Sequence, residues 1–492
     1  MNEQVTILHA LILVPILGVF AIIIGMPSRG TAWLTSAVNL ILGLAVWWTF
    51  DRSADAAAFQ MSSEHVFLES PKLALAFGVD GMSVIMLLLS VIVTLCAVWL
   101  SPPASELGEH EKLYYICPLL IAAGALGAFL STDLFFFYAF HELALIPTFL
   151  MIGMLGHGSD RVNVAWRITI YLGVGSMVLL AGLLALLIGL GGETFDMREL
   201  QTLADSGIIG AESQKWIFGT LLIGFGILIS LFPFHSWAAP AYAAAPTPVA
   251  MLHAGVLKKF GLYGLLRVAV PMLPEGMEAW TNVILILLLG NILYIGFVTI
   301  SQNRIDRMLG YSSVMHMGYV FLGIVANNVI GLNGAILLMF AHGVGIALLF
   351  GLTGQLRQQL PTLNWETLGG LGKNAPFYCF AFGIAAFASI GLPGFASFTS
   401  EVMVFFGGFK EFDGEFKLIH WTTILAIWGV VISAVYMLRG FRNVFLGQSL
   451  ESRQLSDPTL LSVRVPICFL IAVLIGVGVF PSVLLDLLKN SF

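Results

Sequence analysis

Apolar runs of about 20 residues alternate with short polar segments along almost the whole chain. A run of this length is what an α-helix needs to cross a lipid bilayer. The polar segments between the runs, of which 51–82 is the longest, are too short to fold as soluble domains. The pattern therefore predicts an all-α polytopic membrane protein with about 14 transmembrane helices. The predicted spans are 7–25, 32–50, 83–100, 114–130, 133–155, 166–190, 216–234, 248–271, 281–301, 308–325, 330–352, 376–398, 420–445 and 463–487.

Two of these runs are interrupted by proline and glycine. One reads GILISLFPFHSWAAPAYAAAPTPV, with four prolines from Pro233 to Pro248, and the other reads FASIGLPGFASFTSE, with Gly391 and Pro393. Proline removes a backbone donor and clashes with the preceding turn, and the carbonyl groups that it frees must face protein or water. Paired broken helices, one in each half, are typical of the transport path in transporters built from repeats. The alternative is that both prolines produce ordinary kinks.

The spacing of the two breaks suggests an internal duplication. They lie about 160 residues apart, which predicts two inverted repeats of five helices, each with one broken helix. We place the first repeat at 114–271 and the second at 281–445. Residues 1–113 then form transmembrane helices 1–3, and residues 446–492 form a loop and the last transmembrane helix.

Charge placement predicts an orientation. With the helices counted above, Arg161, Arg304 and Arg357 fall on one side, together with most other arginines of the loops. The positive-inside rule makes that side the cytoplasm. An acidic loop with Glu193 and Glu199 lies opposite. An even number of helices then places both termini on the outer, periplasmic side of a bacterial inner membrane.

Composition limits the classes of function. The chain is 58% apolar and only 10% charged, against about 25% charged residues in soluble domains. Its net charge of −6 and the lack of a basic patch exclude a nucleic-acid partner. The sequence has no CxxC pair, no Cys/His cluster and no GxGxxG after a strand. If the chain works with a redox cofactor, that cofactor is therefore bound by another subunit.

Glu142 lies in the middle of an apolar run, residues 130–154. A carboxylate at that depth costs about 2.5–3.5 kcal/mol on insertion scales, so the group needs a partner or a task. Our functional hypothesis is a carboxyl group that holds and releases a proton, and the alternative is a static ion pair with a lysine or arginine. His141 points about 100° away on a helix, so the two side chains need not touch.

Two adjacent lysines lie in a later run, AMLHAGVLKKFGLYGLL. Lys259 is mid-span, and a buried lysine can switch between its charged and neutral forms, which suits a proton carrier. Lys258 cannot share the same helix face. It is a second candidate for the relay, and the alternative is a structural or snorkelling charge.

Histidines and one further carboxylate complete the set of intramembrane ionisable groups. His316 and His342 lie in two apolar runs, and histidine shuttles protons with little tuning, although a lone membrane histidine is often a hydrogen-bonded core residue. Glu401 follows the second break and could end a proton path, or it could face a loop near a helix end. His235 and His253 flank the first broken helix and are further candidates for the relay.

Five segments resemble the antiporter-like membrane subunits of proton-pumping NADH–quinone oxidoreductase, known as complex I. In chain order they are FFFYAFHELALIPTFLMIG, HSWAAPAYAAAPTPVAMLHAGVLKKFGLYGLLR, MLGYSSVMHMGYVFLG, MFAHGVGIALLFG and GLPGFASFTSE. The strongest likeness is to subunit M, the counterpart of mitochondrial subunit 4. The same superfamily also holds Mrp-type cation antiporter subunits and membrane subunits of hydrogenase complexes.

The resemblance implies a role for each matching residue. Glu142 matches the helix-5 glutamate of the family, and Lys259 matches its central helix-8 lysine. Glu401 matches the helix-12 glutamate of subunit M, where other antiporter-like subunits carry lysine. The likeness thus implies a proton relay with a carboxylate at each end and a lysine between them.

Four further positions match the family. His316 and His342 match its connecting histidines. Asp80 and Arg167 match polar positions to which we assign no role.

Three positions depart from the family pattern. Leu228 stands where the family has a helix-7 lysine that pairs with the helix-5 glutamate. Tyr242 stands where the family has a second histidine after the break, and His141 replaces a residue that is usually aromatic. Either Lys258 substitutes for the missing lysine, or the chain pumps differently or not at all.

Taken together, the residues and the resemblance imply a membrane subunit that translocates protons, coupled to quinone reduction elsewhere in a respiratory complex. A charge change at Glu142 is expected to act on Lys259, whose proton passes through His316 and His342 to Glu401. NADH, FMN, iron–sulfur clusters and quinone are expected on partner subunits, and none of them on this chain. The expected partners are other membrane subunits, including antiporter-like neighbours, and the lipid bilayer. Open alternatives are an Mrp-type antiporter subunit, a hydrogenase-linked subunit, and a structural paralogue that has lost pumping.

Overall fold

The structure is a computed structural model that describes residues 6–53, 55–448, 455–459, 461–489 and 491. Residues 449–454, 460, 490 and 492 of the predicted C-terminal segment therefore lie outside it. The described chain is mostly helical, and eleven of its helices are long and apolar enough to span a membrane. They are Ser28–Thr49, Gly81–Trp99, Gly108–Leu130, Leu134–Leu155, Arg161–Gly189, Thr247–Met272, Pro274–Ile300, Ile305–Val325, Val329–Gln359, Leu418–Phe445 and Leu461–Val479.

The N-terminal part consists of long helices and one hairpin. Its elements are α1 (Ile7–Ile23), α2 (Ser28–Thr49), β1 (Gln60–Glu69), β2 (Lys72–Val79), α3 (Gly81–Trp99), α4 (Glu111–Leu130), α5 (Leu134–Leu155), α6 (Arg161–Gly189) and α7 (Met197–Asp205). Every residue of α3 from Gly81 to Val98 is buried, so this helix lies inside the bundle.

The middle and C-terminal parts hold the broken helices. Their elements are α8 (Ala211–Ile229), α9 (Ala238–Ala244), α10 (Thr247–Leu252), α11 (Lys259–Gly264), α12 (Val270–Met272), α13 (Pro274–Leu289), α14 (Ile295–Ile300), α15 (Ile305–Val325), α16 (Val329–Gln359), α17 (Pro376–Ile390), α18 (Ala396–Phe409), α19 (Leu418–Phe445), α20 (Leu461–Val479) and α21 (Ser482–Leu485).

The two-stranded antiparallel sheet corrects the prediction of an entirely helical chain. β1 pairs with β2 within the polar segment predicted at 51–82. The backbone of Lys72 bonds to Glu193 and Phe195, and its amine lies 2.9 Å from both Glu64 and Glu199. The hairpin is thus fastened to the segment that leads into α7. We call this end of the bundle the hairpin end.

The opposite end carries a buried carboxylate between two arginines. Asp306 is inaccessible to solvent, and both Arg304 and Arg357 approach it to 2.7 Å. Arg357 also donates to the carbonyl of Ala243 at 3.0 Å. These contacts join the ends of α9, α15 and α16, and we call this end the basic end.

The first break lies between α8 and α9, where the sequence predicts it. Ser230 ends α8 in the left-handed conformation, with φ of 65°. Trp237 donates its indole N–H to the free carbonyl of Ile227 at 3.0 Å, and the buried Asn291 bonds to the carbonyl of Ser230 and the N–H of Phe232. Protein groups therefore satisfy the backbone that the break leaves open, as membrane depth requires.

The helix that follows the first break contains wider turns. Residues His253–Leu257 and Leu265–Ala269 are π-helical and interrupt the segment from Thr247 to Met272, and Gly290–Tyr294 interrupts the next segment. Single π-turns inside α-helices occur often at functional sites. The first of them lies directly before Lys258 and Lys259.

Candidate proton-transfer site

Glu142 lies on α5 and has polar contacts with α6 and with its own helix. Ser176 donates its hydroxyl to the carboxylate, and the Tyr138 hydroxyl lies 3.0 Å from the same Ser176 oxygen. His141 approaches the carboxylate to 3.5 Å through Nδ1. Helical spacing does not require His141 and Glu142 to touch, but in the structure the two side chains do approach each other. In the described part of the chain no lysine or arginine pairs with Glu142, which argues against the static ion pair.

The Glu142 carboxylate faces out of the bundle. Its side chain is 36% exposed, whereas that of His141 is 4% exposed and stacks on Phe260 at 3.9 Å between ring centroids. An open cavity of about 200 Å³ begins at Glu142 and is otherwise lined by α5 and α6 residues such as Phe149 and Leu172. This carboxylate can therefore respond to a charge outside the chain as well as inside it.

Leu228 occupies the position where the family has its helix-7 lysine. It is 4% exposed, and its side chain packs near Gly175, the neighbour of Ser176. The apolar residue thus lies beside the group that holds Glu142. Among the described residues no lysine or arginine takes its place beside Glu142.

Lys259 is fully buried and has two polar contacts. Its amine lies 2.9 Å from Nδ1 of His342 and donates to the carbonyl of Ala254 at 2.7 Å. Ala254 belongs to the π-helical turn before the lysine. The structure thus joins Lys259 directly to one of the predicted histidines.

His342 and His316 follow in a row. Their ring centroids lie 5.6 Å apart, and Nε2 of His342 has no protein partner among the described residues. His316 lies with Nδ1 2.8 Å from the carbonyl of Ser312 and Nε2 3.0 Å from the carbonyl of Ser389, next to the second break. A neutral imidazole can donate to one of these oxygens and an imidazolium to both, so the site accepts an added proton without rearranging. The order from Lys259 is therefore His342 and then His316, the reverse of the expected sequence.

Glu401 lies on α18 directly across the second break. It is 3% exposed, and its carboxylate touches the α-carbon side of Gly391, which has φ of +79°. The ring centroid of Tyr319 lies 5.8 Å from that of His316 and 5.7 Å from that of Phe405, which follows Glu401 by one turn of α18. The carboxylate is thus buried inside the bundle, which argues against the alternative of a loop-facing group.

A second polar link runs from the histidines toward α19. The Ser312 hydroxyl lies 2.8 Å from the hydroxyl of Tyr436, while the Ser312 carbonyl holds His316. The sequence analysis did not single out Ser176, Ser312 or Tyr436. Hydroxyl residues in helices commonly bond to their own backbone, so nothing in their spacing marked them.

Lys258 is as deeply buried as Lys259 but faces another way. It is 1% exposed, so it does not snorkel, and its amine lies 3.5 Å from the Ser313 hydroxyl and 5.5 Å from the centre of the Tyr242 ring. The ring of His253 lies 5.6 Å from that of Tyr242. His235 packs instead on Phe232, with ring centroids 5.6 Å apart. Lys258 therefore belongs to the first break and α15, and not to the surroundings of Glu142.

Asp80 has a structural partner that the sequence analysis missed. Its carboxylate accepts from Arg267 at 2.6 Å and from the backbone of Ser83 at 2.9 Å, at the start of α3. Arg267 also donates to Tyr263 at 3.3 Å. A cavity of about 490 Å³ opens beside this pair at the hairpin end. Arg167 is exposed on α6.

The described residues contain no cluster of three histidine, cysteine or acidic side chains that could hold a metal ion. The site is a row of single titratable groups on different helices. Such a row can move protons, which need only hydrogen-bonded carriers and water between them.

A family model described as "NADH:quinone oxidoreductase/Mrp antiporter, TM" matches residues 131–439, more than half of the chain. The chain belongs to this family. The match covers Glu142, Lys258, Lys259, His316 and His342. It also extends over both broken helices and Glu401, so the resemblance drawn from the motifs is confirmed.

Curated relatives and solved structures agree with the family. NAD(P)H-quinone oxidoreductase chain 4 3 from Picosynechococcus sp. is 33% identical over 475 residues, which are 94% of this chain and 84% of the relative. A chain of respiratory complex I from Thermus thermophilus matches with a TM-score of 0.87 and 26% identity, over 98% of both chains. A chain of the Mrp complex from Dietzia sp. matches with a TM-score of 0.83 and 20% identity, over 98% of this chain and 96% of that one. The latter likeness shows the fold alone.

Proposed function

We propose that the chain is the chain-4, or M-type, membrane subunit of a respiratory NADH–quinone oxidoreductase of the complex I class. It translocates protons, and quinone is reduced elsewhere in the complex. The names of the curated relatives and the complex I likeness support membership. The observation that carries the pumping role is the direct contact of Lys259 with His342, continued to His316, inside the membrane core.

The proposed architecture has 14 membrane crossings. Leaving out the short α7, and counting α8 with α9, α17 with α18, and each π-interrupted segment as one crossing, the described helices from α1 to α20 make 14. On this count α4 to α12 form a first set of five crossings and α13 to α19 form a second, which supports the two predicted repeats. The basic end is proposed to face the cytoplasm, so that both termini lie on the periplasmic side of the inner membrane.

The chain's own groups suggest the order of events. Glu142, at an open face of the bundle, senses a charge change on a neighbouring membrane subunit. Lys259 then gives a proton to His342, His316 receives it between its two carbonyl acceptors, and Glu401 releases it across the second break. Water bridges the gaps where no direct contact exists.

Cofactors and partners follow from this assignment. NADH, FMN, iron–sulfur clusters and quinone are proposed to belong to other subunits, and antiporter-like membrane subunits are the proposed neighbours. The translocase activity is a property of the whole complex, and this chain supplies a proton path.

The test uses the complex purified through a tag on this chain and reconstituted into liposomes. Electron flow from NADH to quinone should build a pH gradient in the absence of sodium, and Glu401→Gln should reduce that gradient much more than quinone reduction. Sodium-dependent exchange without quinone would instead identify an Mrp-type antiporter.

Leu228 favours one further candidate, a subunit that holds the complex together without pumping. In that case Glu401→Gln would leave the number of protons pumped per electron unchanged.

A further inference from the structure

A group of buried polar atoms without protein partners lies beside Lys258. We define the break chamber by Trp237, Tyr242, His253 and Lys258. The ring centroids of Trp237 and Tyr242 each lie 5.6 Å from that of His253 and 6.1 Å from one another, so the three rings form one cluster, and all four side chains are at most 3% exposed. Neither nitrogen of His253 nor the hydroxyl of Tyr242 has a hydrogen-bond partner among the described residues.

Unpaired polar atoms at this depth require an occupant. A buried donor or acceptor without a partner costs about 1–3 kcal/mol. Three such atoms lie in one aromatic cluster, next to an amine with a single long hydrogen bond to Ser313, and ordered water is the partner that would satisfy all of them. Water here would bond to His253, Tyr242 and Lys258 together.

A cavity at the basic end lies near the break chamber. That cavity measures about 290 Å³ and is lined by polar groups that include Thr247, Arg357 and Glu106. Thr247 touches Gly354 on α16, and one turn further into the bundle Phe350 packs on Tyr242 at 5.9 Å. One helical turn of α16 therefore separates the cavity from the chamber.

We propose that the break chamber is a hydrated proton inlet, and that Lys258 is a second proton carrier which loads Lys259 from the basic end without passing through Glu142. This inference rests on the proposed pumping function. A proton that enters from the basic end passes along water in the chamber to the neutral Lys258 amine, each water accepting one proton as it gives one up. Lys258 becomes an ammonium and later passes that proton to the neutral Lys259 amine.

Two observations separate this inlet from the surroundings of Glu142. Leu228 leaves the first half without its lysine beside Ser176 and Glu142. Lys258 contacts Ser313 and Tyr242 and has no carboxylate within 4.0 Å among the described residues. A second charge beside a charged Lys259 would be costly without a counter-ion. The adjacent pair therefore suits alternate occupation by one proton.

Three substitutions of Lys258 separate a carrier from a structural charge. Lys258→Met removes the titrating group, Lys258→Arg keeps a charge that cannot be given up, and Lys258→His keeps a group that titrates. In the assembled complex we expect Lys258→Met and Lys258→Arg to lower the protons pumped per electron by about tenfold or more, and Lys258→His to retain part of the pumping. Lys215→Met, at an exposed lysine of the hairpin end, is the matched control and should pump normally.

The chamber itself is tested by milder changes. Tyr242→Phe keeps the ring and removes only the unpaired hydroxyl, and His253→Leu removes both nitrogens. Both variants should slow pumping while quinone reduction and assembly persist. They test the proton inlet even if a Lys258 variant does not assemble.

The outcomes are distinguishable. If Lys258→Met and Tyr242→Phe pump like the Lys215 control while Lys259→Met does not, the inlet is wrong and the proposed function stands. If only Lys258→Arg pumps normally, Lys258 is a fixed structural cation. If Lys259→Met also pumps normally, the proposed function itself fails.

Discussion

Replacing Lys259 with methionine is the most direct test of the proposed relay. Methionine has a similar length and no titrating group, so Lys259→Met removes the amine and changes the packing little. The amine is the only described group joined both to His342, at 2.9 Å, and to the π-turn carbonyl of Ala254, at 2.7 Å.

The contacts of the Lys259 amine determine how much Lys259→Met should change the stability of the complex and the rate of pumping. The carbonyl of Ala254 and Nδ1 of His342 would lose their donor or acceptor, at about 1–3 kcal/mol for each unsatisfied buried group. Removing a buried amine offsets part of this cost, so the complex should still assemble. A positioned proton donor contributes about 10²–10⁴-fold to a proton-transfer rate, which corresponds to about 3–5 kcal/mol of barrier. Pumping should therefore fall by at least about a hundredfold.

The assay measures both activities in the same inside-out membrane vesicles. NADH-driven quinone reduction reports electron flow, and quenching of a pH-sensitive dye reports the gradient, with the amount of assembled complex taken from native gels. Lys258→Met provides a matched change one residue away and should be milder. Pumping by Lys259→Met at the level of the unaltered complex would refute the relay, and a greater loss in Lys258→Met would mean that Lys258 is the central carrier.

Three other predictions concern groups away from Lys259. Glu142→Gln keeps the shape of the side chain and should strongly reduce pumping in an intact complex, and near-normal pumping would reject a coupling role. Leu228→Lys should be tolerated because the new cation lies beside Glu142. The double variant Leu228→Lys with Glu142→Gln should lose assembled complex, since a buried charge without its partner costs about 3–5 kcal/mol. Equal assembly of the single and the double variant would show that residue 228 does not reach the carboxylate. At the hairpin end, hydrogen bonds from Thr194 and Lys72 lower the pKa of Glu199. The contact of Glu199 with Lys72 is therefore present at neutral pH and is lost as the pH falls through that lowered value. Limited proteolysis should show the hairpin protected at pH 7 and cleaved in strong acid, and Lys72→Met should remove this difference between the two pH values.

The relay residues could be found from the sequence because a charged group in an apolar run is rare and costly. Glu142, Lys259 and Glu401 stand out for this reason without any knowledge of their contacts. The two breaks could also be predicted from the sequence, since proline and glycine act on the backbone locally. Whether the relay residues carry protons remains a prediction for the experiments above.

The arrangement of the relay was not accessible in the same way. The order of His342 and His316 depends on which helices lie side by side, and chain order gives the wrong answer. The direction of Lys258 depends on the π-turn at His253–Leu257, which shifts the helix by one residue and leaves no mark in composition. The hairpin was missed because β1, with its sequence QMSSEHVFLE, lacks the strict alternation that would indicate a strand.

Gly391 combines an unusual main-chain conformation with a close contact to the Glu401 carboxylate. Its φ of +79° disfavours any side chain, and a β-carbon there would collide with the Glu401 carboxylate. Two independent reasons thus favour glycine at this position, the backbone conformation and the closeness of the Glu401 carboxylate. A replacement compatible with one of them would still conflict with the other. Variation that tunes the surroundings of Glu401 is therefore expected at positions such as Tyr319 and Phe405, while residue 391 itself favours glycine. A saturation library at residue 391 would accordingly return glycine ahead of the few residues, such as asparagine, that adopt the left-handed conformation, and libraries at the neighbouring positions would return many residue types.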